Sequence, residues 1–186
     1  IDANGARRTT YLPEANILDY PDHYVQSTER HPMDYLSGLI IDRNLDKGSI
    51  GIEMDNYYFS AAAYVSLTRH LPNAVFKDAT GLVNWQRVVK SPQELDYMRK
   101  AGGIVEAMHA KIFELTEPGL KKNELVAEIY HTAIRGTSDA GGDYPAIVPL
   151  LPSGEDASAS HLTWDDKPMR AGEATFFEIA GVHKRY

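Results

Sequence analysis

The chain has 186 residues, 43% hydrophobic and 24% charged, enough apolar surface for one large domain or two small ones with a real core. Its net charge of −7 comes from 26 acidic against 19 basic residues, with no basic stripe or block, which disfavours a nucleic-acid partner. The absence of cysteine excludes disulfides, zinc fingers and thiol chemistry, and no apolar run has the length to cross a bilayer.

The chain begins at Ile1 rather than Met, without a signal peptide, and ends at Tyr186 inside a predicted strand, so it reads as an internal piece of a longer protein. Short helix and strand signals alternate through the first half. His31-Pro32-Met33 opens a helix through Tyr35, Leu36, Leu39 and Ile40, and Ser49 to Met54 reads as a short buried strand. Ser60 can cap a helix carrying Ala63, Tyr64, Leu67 and Leu71, which Pro72-Asn73 stops, and Ala74-Val75-Phe76 starts another strand. Alternation with short connections predicts a small α/β layer.

A boundary falls near Val89-Lys90. Ser91-Pro92-Gln93-Glu94 carries Ser at the N-cap, Pro at the first helical position and Glu three residues after the cap, the pattern of a capping box. Met98, Ala101, Val105, Met108, Ile112 and Leu115 then step by three and four, one apolar stripe on a long helix that Glu117-Pro118-Gly119 breaks. A second helix carries Leu125, Val126, Ile129, Tyr130, Ala133 and Ile134, with Gly136 as its stop. Tyr144 to Leu151 is apolar but broken by Pro145 and Pro149, which predicts an edge or irregular strand. Ser153 to Ser160 reads as a loop, Ala174 to Ala180 as a strand, and a further strand follows Gly181 to Tyr186.

Several residues have the chemistry of a site. Asp42, Asn44, Asp46 and Glu53 copy much of a calcium loop, but its sixth position, which needs glycine, is Lys47, and a polar turn accounts for the same residues. His109 and His131 form no metal-ligand pair and read as structural. Glu178 is a carboxylate in an apolar strand. Facing solvent it is unremarkable; facing inward, desolvation suits it to acid/base or nucleophilic work. His161 follows a small-residue loop, a plausible approach to a ligand, though most loop histidines have no such role.

The stretch Val89-Lys90-Ser91-Pro92-Gln93-Glu94-Leu95-Asp96-Tyr97-Met98-Arg99-Lys100-Ala101 resembles the entry helix of the creatinase/prolidase, or pita-bread, catalytic domain. Ser153-Gly154 with His161 seven residues after the glycine resembles a second segment of that family, with Asp156 at its usual Asn. Arg170-Ala171-Gly172-Glu173 followed by Phe177-Glu178 resembles a third, and Gly181 to Tyr186 the hairpin after it. The resemblance implies an α/β N-terminal domain, present in part over residues 1–88, followed by the first half of an α+β pita-bread catalytic domain over 89–186. Metal-dependent members carry Asp, not Glu, at the position of Glu178, and Gly, not Ala, at that of Ala180. The substitution points to a metal-free branch such as creatinase.

The segments Gly141 to Leu151, His161-Leu162-Thr163-Trp164, Asp2 to Tyr11 and Tyr20 to Tyr24 are similar to the ectoine-hydrolysing branch of the family. That resemblance implies a cytoplasmic homodimer, active as the full-length protein, that opens the cyclic amidine of the small molecule ectoine to an N-acetylated diaminobutyrate. No cofactor, metal, membrane or nucleic acid is then expected. Glu178 is the expected nucleophile or base and His161 the proton shuttle, with Tyr186 and Gly154 at the substrate. Two alternatives stand beside it: a Xaa-Pro peptidase dependent on manganese, zinc or cobalt, and a non-catalytic binding protein on the same scaffold.

Overall fold

The computed structural model describes residues 3–186. The chain forms two compact units, the first ending at Val88 and the second running from Val89 to Tyr186.

The first unit opens with α1 (Ala3–Thr9) and two 3-10 turns at Glu14–Asn16 and Asp22–Tyr24, none of which the sequence reading anticipates. α2 (Pro32–Asp42) starts on a capping box: His31 Nδ1 accepts from the Met33 N–H, and Asp34 Oδ2 accepts from the His31 N–H. β1 (Ser49–Ile52) pairs in parallel with β2 (Val75–Asp78), Ser49 opposite Val75 and Ile52 opposite Asp78. α3 (Ala61–His70) connects them, its first turn capped by Ser60 Oγ on the Ala63 N–H. α2 and α3 meet through Ser66, whose hydroxyl donates to Asp34 Oδ1 at 2.6 Å. α4 (Leu82–Gln86), also unanticipated, begins on Gly81 at a φ of 80° that favours glycine.

β1 corrects the sequence reading twice. It stops at Ile52 rather than Met54, where a turn begins and the Asp55 N–H bonds to Thr80 Oγ1. It is also largely exposed, with only Ile52 buried, because one neighbouring strand and helices on one face leave the alternate residues uncovered.

In the second unit, α5 (Pro92–Leu115) opens on the capping box read from the sequence. Ser91 Oγ accepts from the Glu94 N–H at 3.3 Å, and Glu94 Oε2 accepts from the Ser91 N–H at 2.7 Å. α6 (Lys122–Arg135) turns back along the C-terminal half of α5, so that Thr137 lies against Gly103. Ile104, Met108 and Ile112 of α5 interlock with Leu125, Val126, Ile129 and Ala133 of α6, and Leu151 and Met169 close the core. Two residues of the expected stripes are exposed. Met98 is 44% exposed because the shorter α6 does not reach the first turns of α5, and Ile134 is 49% exposed at the end of α6.

An irregular layer covers these helices. Leu150 and Glu178 exchange both backbone hydrogen bonds, at 3.0 and 3.2 Å, Phe176 N–H donates to Pro152 O, and Gly154 N–H donates to Ala174 O. The continuous strand expected over 174–180 is therefore only isolated bridges at Thr175 and Glu178. Pro152 has no N–H to return, so the ladder cannot close there. The loop expected from Ser153 to Ser160 contains a 3-10 helix, Gly154–Ser158. The strand expected after Gly181 is instead a tight turn. His183 and Tyr186 exchange backbone bonds at 2.9 and 3.0 Å around Lys184 and Arg185, at φ of 51° and 68°, as a two-residue hairpin loop requires. Gly181 lies so close to α5 that a Cβ there would stand 2.9 Å from Ala101 O. No helix among the described residues is long and apolar enough to cross a membrane.

Candidate functional site

Glu178 owes its direction to its neighbours. Phe177 and Ile179 pack against the core, so the alternation of an extended chain turns Phe176 and Glu178 to the opposite face. Both are exposed there, and the Glu178 carboxylate has no hydrogen bond or ion pair among the described residues. Of the two orientations open to the sequence, the outward one is present.

His161 is exposed and ends a short excursion of the chain. The excursion leaves the layer at Ser153, whose hydroxyl is 2.9 Å from that of Thr175, and at Gly154. It returns at Thr163, whose carbonyl accepts from the Leu151 N–H, and at Trp164, half-buried with its ring edge-on to Tyr130 at 6.4 Å. Gly154 has a φ of 63°, which favours glycine, while a Cβ on it would meet only the flexible end of Glu173, at 2.9 Å.

Tyr186 lies at the other end of the layer. Its hydroxyl donates to Glu94 Oε1 at 2.6 Å and its ring packs against Tyr97, which ties the closing turn to the start of α5. That hydrogen bond is the largest cause of a Glu94 carboxyl held down at about 2, the capping contacts with Ser91 adding to it. Arg185 is pinned as well, 2.9 Å from Asp143 and over the Tyr144 ring at 4.1 Å.

The acidic stretch after α2 is a helix stop. Asn44 sits at a φ of 57° and the Leu45 N–H reaches back to Ile40 O, a Schellman-type end, while Glu53 accepts from Asn56. His109 bonds to Val105 O within its own helix, and His131 is exposed.

The sequence reading passed over a pair at the start of α6. Lys122 Nζ lies 2.7 Å from Asp165 Oδ1, with the lysine side chain 6% exposed. The lysine hydrogen bond is the chief cause of an Asp165 carboxyl lowered to about 2. The signal was available: Lys122 stands three, four and seven residues before Leu125, Val126 and Ile129, on the buried stripe itself. Beside the pair is a hollow of about 170 Å³ walled by Leu151, Pro152, Leu162 and Trp164. A more polar one of about 340 Å³ adjoins it, reached by Lys167, Arg170 and Glu173. Neither Glu178 nor His161 lines either hollow. Among the described residues, no three His, Asp or Glu side chains converge as donors for a metal.

Residues 96–186 match the family model described as metallopeptidase family M24. Over 192 aligned positions, covering the whole chain and 48% of the relative, the sequence is 60% identical to the ectoine hydrolase of Halomonas elongata. It is 36% identical to an uncharacterized hydrolase/peptidase of Sinorhizobium fredii, again over the whole chain and 47% of that protein. The fold matches the prolidase from Pyrococcus furiosus with a TM-score of 0.70 at 17% identity, over 97% of this chain and 47% of that one. The chain spans about half the length of the curated relatives it matches.

Proposed function

We propose that the chain, whose residues 96–186 match metallopeptidase family M24 and which has the pita-bread fold, is part of a hydrolase that opens the cyclic amidine of ectoine to N-acetyl-2,4-diaminobutyrate. The observation that carries this reading is the 60% identity with an ectoine hydrolase along the entire chain. The finer assignment to a cytoplasmic homodimer rests on the same resemblance.

Hydrolysis of an amidine needs an oxygen nucleophile at the amidine carbon and a proton on the nitrogen that departs. Glu178 supplies the first by taking a proton from an attacking water, or by attacking directly, in which case water afterwards displaces the carboxylate from the amidine carbon, breaking the Glu178–carbon bond and supplying the amide oxygen. Its negative charge also suits the delocalised amidinium of the substrate. His161 carries the proton to the leaving nitrogen, since imidazole gives and takes protons near neutral pH. The carbon–nitrogen bond then breaks, leaving an acetamide on one nitrogen and a free amine on the other. Gly154 and Tyr186 belong beside the substrate in this reading.

The family's name implies a metal. Among the described residues no three His, Asp or Glu side chains converge as donors, and no step here passes through a metal. What supports metal-free work is Glu178 itself, longer by one methylene than the Asp of metal-dependent members.

The test uses the full-length protein stripped of metal, mixed with ectoine and followed by NMR. Ring opening is expected, and Glu178→Ala lowers it by about 10²–10⁴-fold or more without loss of fold. Near-normal rates in that variant would remove Glu178 from the mechanism. Failure to open the ring, with Xaa-Pro dipeptide cleavage on added manganese, would replace this reading by the peptidase. Ectoine bound but unchanged would make the protein a binder.

A further inference from the structure

Lys122 is a buried cation that the chemistry above does not use. It occupies the apolar face of α6, and its ammonium is matched to Asp165 at 2.7 Å. The same Asp165 oxygen accepts from the Lys167 N–H at 3.0 Å, and the other lies 3.2 Å from Lys167 Nζ. The lysine side chain is buried while that of Asp165 stays 30% exposed. Burying a charge beside its partner contributes little net stability, since desolvation cancels most of the attraction, but it demands one geometry. Here the backbone around it is held to match. Lys122 N–H donates to Lys167 O, Met169 N–H to Leu120 O, and Gly119 N–H to Met169 O.

What this clamp holds is the return of the His161 excursion, four residues after the histidine. The departure is held elsewhere, by Ser153 on Thr175 and Gly154 on Ala174, in the segment that continues to Glu178. One end of the excursion is thus fastened to the chain bearing Glu178, and the other is held first at Thr163 by the Leu151 N–H and then, two residues on, at the start of α6. The place of His161 relative to Glu178 depends on both fastenings.

Resting on the reading of His161 and Glu178 given above, we propose that Lys122 and Asp165 are positioning residues, fixing the return of this excursion so that His161 reaches the departing nitrogen. A misplacement of about 1 Å at a proton donor can cost on the order of 10²-fold in rate.

The test is a double-mutant cycle in the full-length protein. Ring opening is read under single-turnover conditions, slow enough to capture residual rates, for wild type, Asp165→Asn, His161→Ala and the double variant. If Asp165 acts through His161, Asp165→Asn lowers the rate by about tenfold or more, with substrate affinity within about threefold, and changes it by less than about twofold once His161 is gone. Equal losses in both backgrounds would make the pair merely structural, and a wild-type rate in Asp165→Asn would overturn the proposal outright. Should Asp165→Asn misfold, Lys122→Met with Asp165→Leu replaces the pair by apolar groups. It must show the same loss and the same silence without His161. A wild-type rate in His161→Ala would instead sink the underlying assignment of His161, and this proposal with it.

Discussion

The Glu94 carboxylate serves two masters: Oε2 accepts from the Ser91 N–H to close the cap of α5, and Oε1 accepts from the Tyr186 hydroxyl at 2.6 Å. Only the first is local in sequence. The capping box is written in Ser91-Pro92-Gln93-Glu94, whereas the second partner stands 92 residues away. The phenol contact leads the causes that hold Glu94 at about 2, so Tyr186→Phe should raise the carboxyl toward the ordinary glutamate range. A carbon-detected NMR titration of the Glu94 side chain reads this directly, and an unmoved midpoint would mean the Ser91 contacts suffice. Glu178 shows the reverse relation. Its residue type was suggestive, but its direction followed from Phe177 and Ile179 finding the core, which no reading of one strand decides.

Among the elements, α5 tests how far periodicity carries. Steps of three and four named Ala101, Met108 and Ile112 correctly but also drew in Met98, and the sequence reading omitted Ile104, which is fully buried. The period fixes a face; the length of the partner helix fixes how much of that face is covered. Ile104→Ala should therefore cost about 2–5 kcal/mol. Met98→Ala should stay within about 0.5 kcal/mol, as at other exposed sites. Denaturant unfolding of the two variants separates these, and comparable losses would mean that something covers Met98 in the full-length protein. The expected strands of the second unit failed for a different reason. An apolar run was present from Ala174 to Ala180, interrupted by Glu178, but a strand is defined by its partner, and Pro152 lies opposite Phe176 with no N–H to give.

For the molecule as a whole, Asp165, paired with Lys122, is one of several lowered carboxylates, Glu94 among them, through which acid affects stability. Asp165 is lowered to about 2 in the folded chain, below the ordinary aspartate value of about 3.9. A depressed carboxylate stabilises the fold above the unfolded pKa, and that contribution fades as pH falls through the folded one. Thermal melts of wild type and Asp165→Asn should differ by a constant amount above about pH 5 and converge between about pH 4 and 2. A gap that persists at pH 2 would show that Asp165 matters through shape rather than charge.

Sequence by itself determined what depends on near neighbours or on a repeated spacing. The two caps at Ser60 and Ser91, the buried faces of α5 and α6, the stop at Gly136 and the order of the family's motifs all belong to that class. Each is an interaction within a few residues, or a period that a helix must obey. Tertiary structure decided the rest: the outward turn of Glu178, the Tyr186 bond to Glu94, the exposure of Met98, and the burial of Lys122 against Asp165. Each of these joins groups 43 to 92 residues apart, or depends on whether a partner covers a surface, and a charge such as Lys122 can sit on an apolar stripe only where the fold brings its counterion to it.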